Sequence, residues 1–252
     1  MINYKELLFK TLTYIELPES KKNGCVLQIP QTACGTPLSE EEFSNLEKKY
    51  KILFHNSLKE FYKQLEYVKI YWKLFDKEGD PRVTTAQFKN DSWIKEHYLD
   101  KAENPKAAWE ALKDSLAGYL FISSAEELLK QNPNNSYYVA LEAMGLDPKE
   151  YYLFDAQERG TAILKREEGI IQDNIWIIDL MARELMDMKI GVEKYIELAY
   201  KAKLFQGWQL VYLWRGKRRT ESEEYQFMTR FLPKLVPHLQ IDFKAFGIET
   251  PH

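Results

Sequence analysis

The chain has 252 residues, of which 45% are hydrophobic and 29% charged, with a formal net charge of -3 and a pI near 5.9. A chain of that length can bury a full core without a disulfide or metal staple. The weakly acidic balance argues against a nucleic-acid binder held by phosphate contacts. The two cysteines, Cys25 and Cys34, fit neither a C-x-x-C redox pair nor a zinc ribbon.

Residues 1–37 read as an N-terminal extension: a short amphipathic helix, then a loop rich in Pro, Gly and Thr. Charge interrupts the first apolar stretch, so no secretory h-region is expected there. Ser39, with Glu42 three residues on, forms a capping box, and Phe43, Leu46, Tyr50 and Leu53 recur behind it at helical spacing. A second helix starts near Ser57 and turns Leu58, Phe61, Tyr62 and Leu65 inward. From Tyr67 the period drops to two. Val68, Ile70, Trp72 and Leu74 alternate with Lys69, Tyr71 and Lys73, which predicts a half-buried antiparallel strand with one wet face. Residues 78–81 are a turn signal, and 83–88 the expected returning strand.

Asn104 and Pro105 open a helix that buries Trp109, Leu112 and Leu116 and ends at Gly118. A strand over 119–122 follows, and Ser124 with Glu127 caps another helix. Residues 138–144 are helical up to Gly145. Strands are expected at 151–154 and 161–165, joined through 155–160, and again at 175–178. A long helical region then runs from about Leu180 to Leu204, with a break at Gly191. Beyond it come a strand over 208–214, a capped helix from Thr220, and a tail bracketed by Pro233 and Pro237. Strands and helices fall in groups and do not alternate, which predicts an α+β fold. Its sheet is expected to be mostly antiparallel, with five or six strands flanked by helices. No repeat or linker divides the chain, so 38–205 forms one domain and 206–252 a C-terminal extension packed on the same core.

The residues offer little for catalysis. His55, His97, His238 and His252 sit in no nucleophile motif, and no G-x-S-x-G elbow occurs. Without a glycine-rich phosphate loop, no nucleotide cofactor is expected. Residues 76–80 depart from a calcium loop at Pro81, so no metal is expected. The basic run 215–219 is offset at once by Glu221, Glu223 and Glu224. Asp155 and Glu158 share a turn and could face Asp76 or Asp80, but a glycosidase pair needs carboxyls held about 5–10 Å apart in a cleft, and acidic residues in exposed loops are the favoured reading. No window reaches ~18 apolar residues, so no membrane span is expected and the cytoplasm is the default. What remains is surface. Aromatic anchors among mixed charges are the composition of protein-binding hot spots, and Tyr71, Trp72, Asp76, Asp80, Asp155 and Glu158 are the candidate contact residues. Tyr71 leads them, because its neighbours by strand parity are lysines.

The order of features resembles the SUKH superfamily, which includes the Smi/Knr cell-wall-synthesis regulators. The resemblance is carried by Leu38 to Tyr50, by Ser57 to Tyr62, by Gly118 to Leu128, by Tyr152 to Asp155 with the turn through Gly160 and the Trp176 strand, and by Val192 to Leu198. It implies a helix-flanked α+β sheet with no active site. In bacteria it implies an immunity protein that binds and blocks a toxin, often a nuclease. Two alternatives stand beside it. One is a cytoplasmic regulator or scaffold that docks through 206–252, and the other a hydrolase using Asp155, Glu158 or His97 in a pocket.

Overall fold

The computed structural model describes residues 3–15, 25–76, 91–108, 116–235 and 239–249. Its strands are β1 (Cys25–Cys34), β2 (Leu53–Phe54), β3 (Val68–Asp76), β4 (Ala117–Ile122), β5 (Tyr151–Asp155), β6 (Thr161–Glu167), β7 (Ile170–Asp179) and β8 (Glu184–Gly191). All join one sheet in the order β1-β3-β4-β5-β6-β7. The far edge of β7 is shared. β2 pairs with it in parallel at Ile170 and Ile171, and β8 antiparallel from Asn174 onward. The fold is α+β as expected, but the sheet has eight strands where five or six were anticipated.

Three strands carry no strand signal in the sequence: the two-residue β2, and β1 and β8 for reasons of their own. β1 contains Pro30, which removes a ladder donor and made the segment look like a loop. The proline is tolerated because β1 lies at the end of the sheet and its register slips between Gln28 and Gln31, where a bulge takes up the irregular residues. β8 carries a helix signal, because Glu184, Leu185, Met186, Met188 and Lys189 favour helices intrinsically. Pairing with the isoleucine-rich β7 overrides that preference.

Other expectations shift as well. Residues 208–214 form not a strand but the helix Trp208–Leu213, entered from Gly207 at φ 77°. A short apolar run does not by itself distinguish the two. Thr220 ends a short helix, Gly216–Thr220, and the expected capped helix starts instead at Ser222, running through Glu223–Gln226 and a π-helical segment Phe227–Phe231 into Leu232–Leu235. Gly118 lies inside β4 and ends no helix. Leu53 is exposed in β2, because the preceding helix stops at Tyr50 and Lys51 turns left-handed. The expected strand at 83–88 falls outside the described residues.

The main helices are α1 (Tyr4–Ile15), α2 (Glu40–Tyr50), α3 (Asn56–Tyr62), α4 (Ala125–Leu129), α5 (Ser136–Ala143), α6 (Val192–Lys201) and α7 (Trp208–Leu213). Both expected capping boxes form. Glu42 N–H donates to Ser39 Oγ at 3.3 Å while Ser39 N–H donates to Glu42 Oε2 at 2.7 Å, and Ser124 and Glu127 repeat the exchange at α4. Ser124 is buried, so Ser124→Ala leaves the Glu127 N–H without its partner and is expected to cost about 1 kcal/mol, read as a lowered urea midpoint. An unchanged midpoint would show the cap to be idle.

One continuous core covers a single face of the sheet. It joins Tyr4 and Leu8 of α1, Phe43 of α2, Leu58 and Phe61 of α3, Val68, Ile70 and Trp72 of β3, and Tyr195 and Leu198 of α6. The C-terminal segment belongs to the same core, contributing Trp208, Leu210, Val211, Met228, Phe231 and Leu232. Arg230 reaches Asp91 at 2.7 Å, and Arg218 pairs with Glu184. A smaller cluster lies on the opposite face, where Tyr137 and Leu141 of α5 cover Tyr151, Ile163 and Ile178.

β4 divides its free edge between two neighbours. Its first half bonds residues 204–206, with Tyr119 N–H to Leu204 O at 2.8 Å and Gln206 N–H to Ala117 O at 2.9 Å. Its second half meets β5 at Ile122 and Asp155.

Candidate partner-binding surface

On β3 the alternation that buries Val68, Ile70 and Trp72 sends Lys69 and Tyr71 to the opposite face. The antiparallel register sets Tyr71 beside Tyr119 and Lys69 beside Phe121. The Tyr71 and Tyr119 rings stack with centroids 4.8 Å apart and planes 20° apart, and Phe121 meets Tyr119 edge-on at 5.7 Å. Lys69 Nζ lies 5.5 Å from the Tyr67 ring centre. All five side chains are half-buried. The Ala156 N–H donates to Phe121 O at 3.0 Å, so this strip runs directly into the β5–β6 turn.

That turn, residues 156–160, stands between two open concavities of about 350 Å³ each. Leu153, Ala156, Gln157, Glu158 and Thr161 line the first, together with Ser136 at the start of α5. The second lies across Glu158 and Arg159, against Asp179, Met181, Trp214 and Glu223. Arg159 is ion-paired with Glu223 at 3.1 Å and with the buried Glu224. The Asp179 carboxylate accepts the Met181 and Ala182 N–H groups at 3.0 Å each, and Met181 projects outward with 77% of its surface exposed.

A buried polar network holds the turn from below. Asp155 Oδ1 accepts the Phe121 N–H at 2.7 Å, and Oδ2 accepts both the Tyr195 hydroxyl and the Gln157 amide at 2.7 Å. Gln209 Nε2 donates to the Tyr195 hydroxyl at 2.9 Å, and the Thr161 hydroxyl donates to Gln157 O at 2.6 Å. Burial pushes the Asp155 carboxyl above the usual Asp range, against the pull of its three donors. Burial, and then the adjacent Asp155, raises the Tyr195 hydroxyl too.

The surface brings together two of the six candidate contact residues, Tyr71 and Glu158. Two others lie in the interior. Trp72 shares the inward parity of Ile70 and is 0% exposed, its indole N–H donating to Lys203 O at 2.8 Å. Asp155 is also 0% exposed, being committed to the network under the turn and not to an exposed loop. Asp76 ends β3 opposite Cys25, whereas Asp155 meets Ile122 and, across it, Val68 at the other end of that strand. At ~3.3 Å per residue the two ends are roughly 25 Å apart, so Asp76 and Asp155 form no working pair. Asp80 falls outside the described residues.

Asp155, Glu158 and His97 do not converge either. Glu158 is exposed, and the exposed His97 stacks on Trp93 at 4.6 Å. His55 caps α3 by accepting the Ser57 N–H at 3.3 Å, and His238 and His252 fall outside the described residues. The two cysteines begin and end β1, about 30 Å apart at strand spacing, and cannot pair with each other. In the basic run Arg219 is buried against Phe246 O, and Arg215 donates to Trp214 O at 2.7 Å. Among the described residues no group of His, Cys, Asp or Glu is arranged to hold a metal ion, and no helix is long and apolar enough to cross a membrane.

Tyr119, Phe121, Tyr195 and Gln209 were not foreseen. The first two lie in a short apolar run without alternation, and only the β3–β4 register assigns their face. Nothing in the sequence marks Tyr195 and Gln209 as partners, because they meet through tertiary packing of α6 on α7. No family model, curated protein or solved structure matches the chain.

Proposed function

We propose that this chain is a non-enzymatic protein-binding protein of the toxin-neutralising kind, and that it meets its partner through the strip from Tyr71 to Glu158. The observation that carries the proposal is the contiguity of that strip. Three touching, half-buried rings lead into an exposed carboxylate at the edge of two concavities. Half-buried tyrosines are held in place before binding and so lose little side-chain freedom in a complex, which suits them as anchors. Support for the immunity assignment comes from the order of elements: the capped α2, then α3, the β4–α4 pair, the β5–β6–β7 meander and α6. That is the order the SUKH resemblance implies. A partner with a basic face gains association rate from Glu158 and the carboxylates beside Arg159.

The test is capture by the chain of effectors encoded beside its gene, followed by two substitutions. Tyr71→Ala is expected to weaken the complex about 30-fold, the ~2 kcal/mol of a central anchor. Glu158→Lys is expected to slow association, and more so at low salt. Finding no nanomolar partner among those effectors, or finding one that ignores both substitutions, would overturn the proposal. Protection of cells co-expressing the captured effector separates immunity from the cell-wall-regulator alternative.

A further inference from the structure

The network beneath the β5–β6 turn holds a carboxylate to which no cation among the described residues bonds. Its contacts come from every element around it: the Phe121 N–H from β4, the Gln157 amide from the turn, and the Tyr195 hydroxyl from α6, itself backed by Gln209 from α7. Tyr195 is the titratable group that bonds it. The closest ion pair along the turn, Arg159 with Glu224, faces the concavities and makes no bond to Asp155.

Each donor atom in this set makes a bond, while two acceptors make none. Gln157 Oε1 and Gln209 Oε1 are buried without a hydrogen-bond partner. An empty buried acceptor costs about 1–3 kcal/mol. Both facts follow from the charge on Asp155. A carboxylate only accepts, so it draws the Gln157 amide nitrogen toward itself and turns the amide oxygen away. A carboxylic acid has a proton to donate. With that proton on Oδ2, a half-turn of the Gln157 amide brings Oε1 onto it and gives up the Nε2–H bond to Tyr119 O at 3.2 Å. The half-turn thus exchanges the bond to Tyr119 O for one from the acid proton to Oε1, the acceptor that is empty in the ionised state.

We infer that Asp155 and Gln157 form a proton-operated latch under the β5–β6 turn: ionised Asp155 holds the Gln157 amide nitrogen inward, and protonated Asp155 takes the amide oxygen in its place. The latch stands on its own geometry, and only its influence on partner binding through Glu158 rests on the function proposed above. The sign of the pH effect follows from burial. Burial raises the folded-state Asp155 carboxyl above that of an aspartate in the unfolded chain, so folding favours the protonated form. The stability contributed by this group is fully present below that unfolded value and is lost as pH rises through the raised folded value.

The test is an NMR titration of the free full-length chain, following the Asp155 carboxyl carbon and the Gln157 side-chain amide together. Both are expected to move with one shared midpoint, displaced upward from that of an ordinary aspartate. An Asp155 that stays ionised until the chain unfolds, or a Gln157 amide unmoved through the titration, would each overturn the latch. Because no partner is present in the experiment, its failure is distinct from failure of the binding function.

Discussion

A chain truncated after Gln206 is expected to lose cooperative folding altogether. The removed segment carries Trp208, Leu210, Val211, Met228, Phe231 and Leu232, none more than 2% exposed. Trp208 packs against Tyr195 with ring centres 5.0 Å apart, so its loss also uncovers α6. At ~1.5–3 kcal/mol for each buried side chain, six of them represent roughly 9–18 kcal/mol. The whole stability of a typical domain is about 5–15 kcal/mol. The truncated chain should show no urea transition and should bind a hydrophobic dye. A sharp transition near the native midpoint would show that the segment is an appendage. The scaffold alternative treats it as a docking element, yet loss of binding on truncation cannot identify one when the core itself has gone. Point substitutions at Tyr71 and Glu158 avoid that confusion.

Gly118→Ala is expected to be severe for the addition of one methyl group. A methyl group at this position sits 2.1 Å from Trp72 Nε1 and 2.3 Å from Cε2, well inside contact distance. Trp72 has no room to retreat, being fully buried and tied to Lys203 O. Overpacking costs about 1–3 kcal/mol, and a stranded indole N–H or carbonyl adds about 1–3 kcal/mol more. Denaturant midpoints should therefore fall by the equivalent of ~3 kcal/mol or more. In a double-mutant cycle, Trp72→Phe should recover part of the loss, because the smaller ring vacates the contested space. A Gly118→Ala chain within ~0.5 kcal/mol of the parent would contradict the close packing.

Much of the fold was legible where local chemistry and tertiary structure agree. The capping pairs Ser39 with Glu42 and Ser124 with Glu127 fixed two helix starts, and the alternation from Val68 to Trp72 fixed a strand and its buried face. Where they disagree, legibility fails. Glu184 to Lys189 prefer helix but complete a sheet, and Pro30 suits a loop but sits in an edge bulge. The surface was half legible on the same grounds. Parity singled out Tyr71, but it could not reveal that Tyr119 and Phe121 extend the strip, since that depends on which strand pairs with which. Charge alone placed Asp155 in an exposed loop, and only the contacts of α6 and the turn show it enclosed.

The divided edge of β4 has a consequence for synthesis. Tyr119 and Ala117 emerge with backbone groups whose partners, Leu204 and Gln206, are encoded some 85 residues later. At ~5–20 residues per second that interval lasts roughly 4–17 s on the ribosome. Throughout it the nascent chain presents a bare strand edge, a template for pairing with any neighbouring polypeptide. The length of that exposure is thus set by the translation clock, and slowing elongation between those points should lower the yield of native protein.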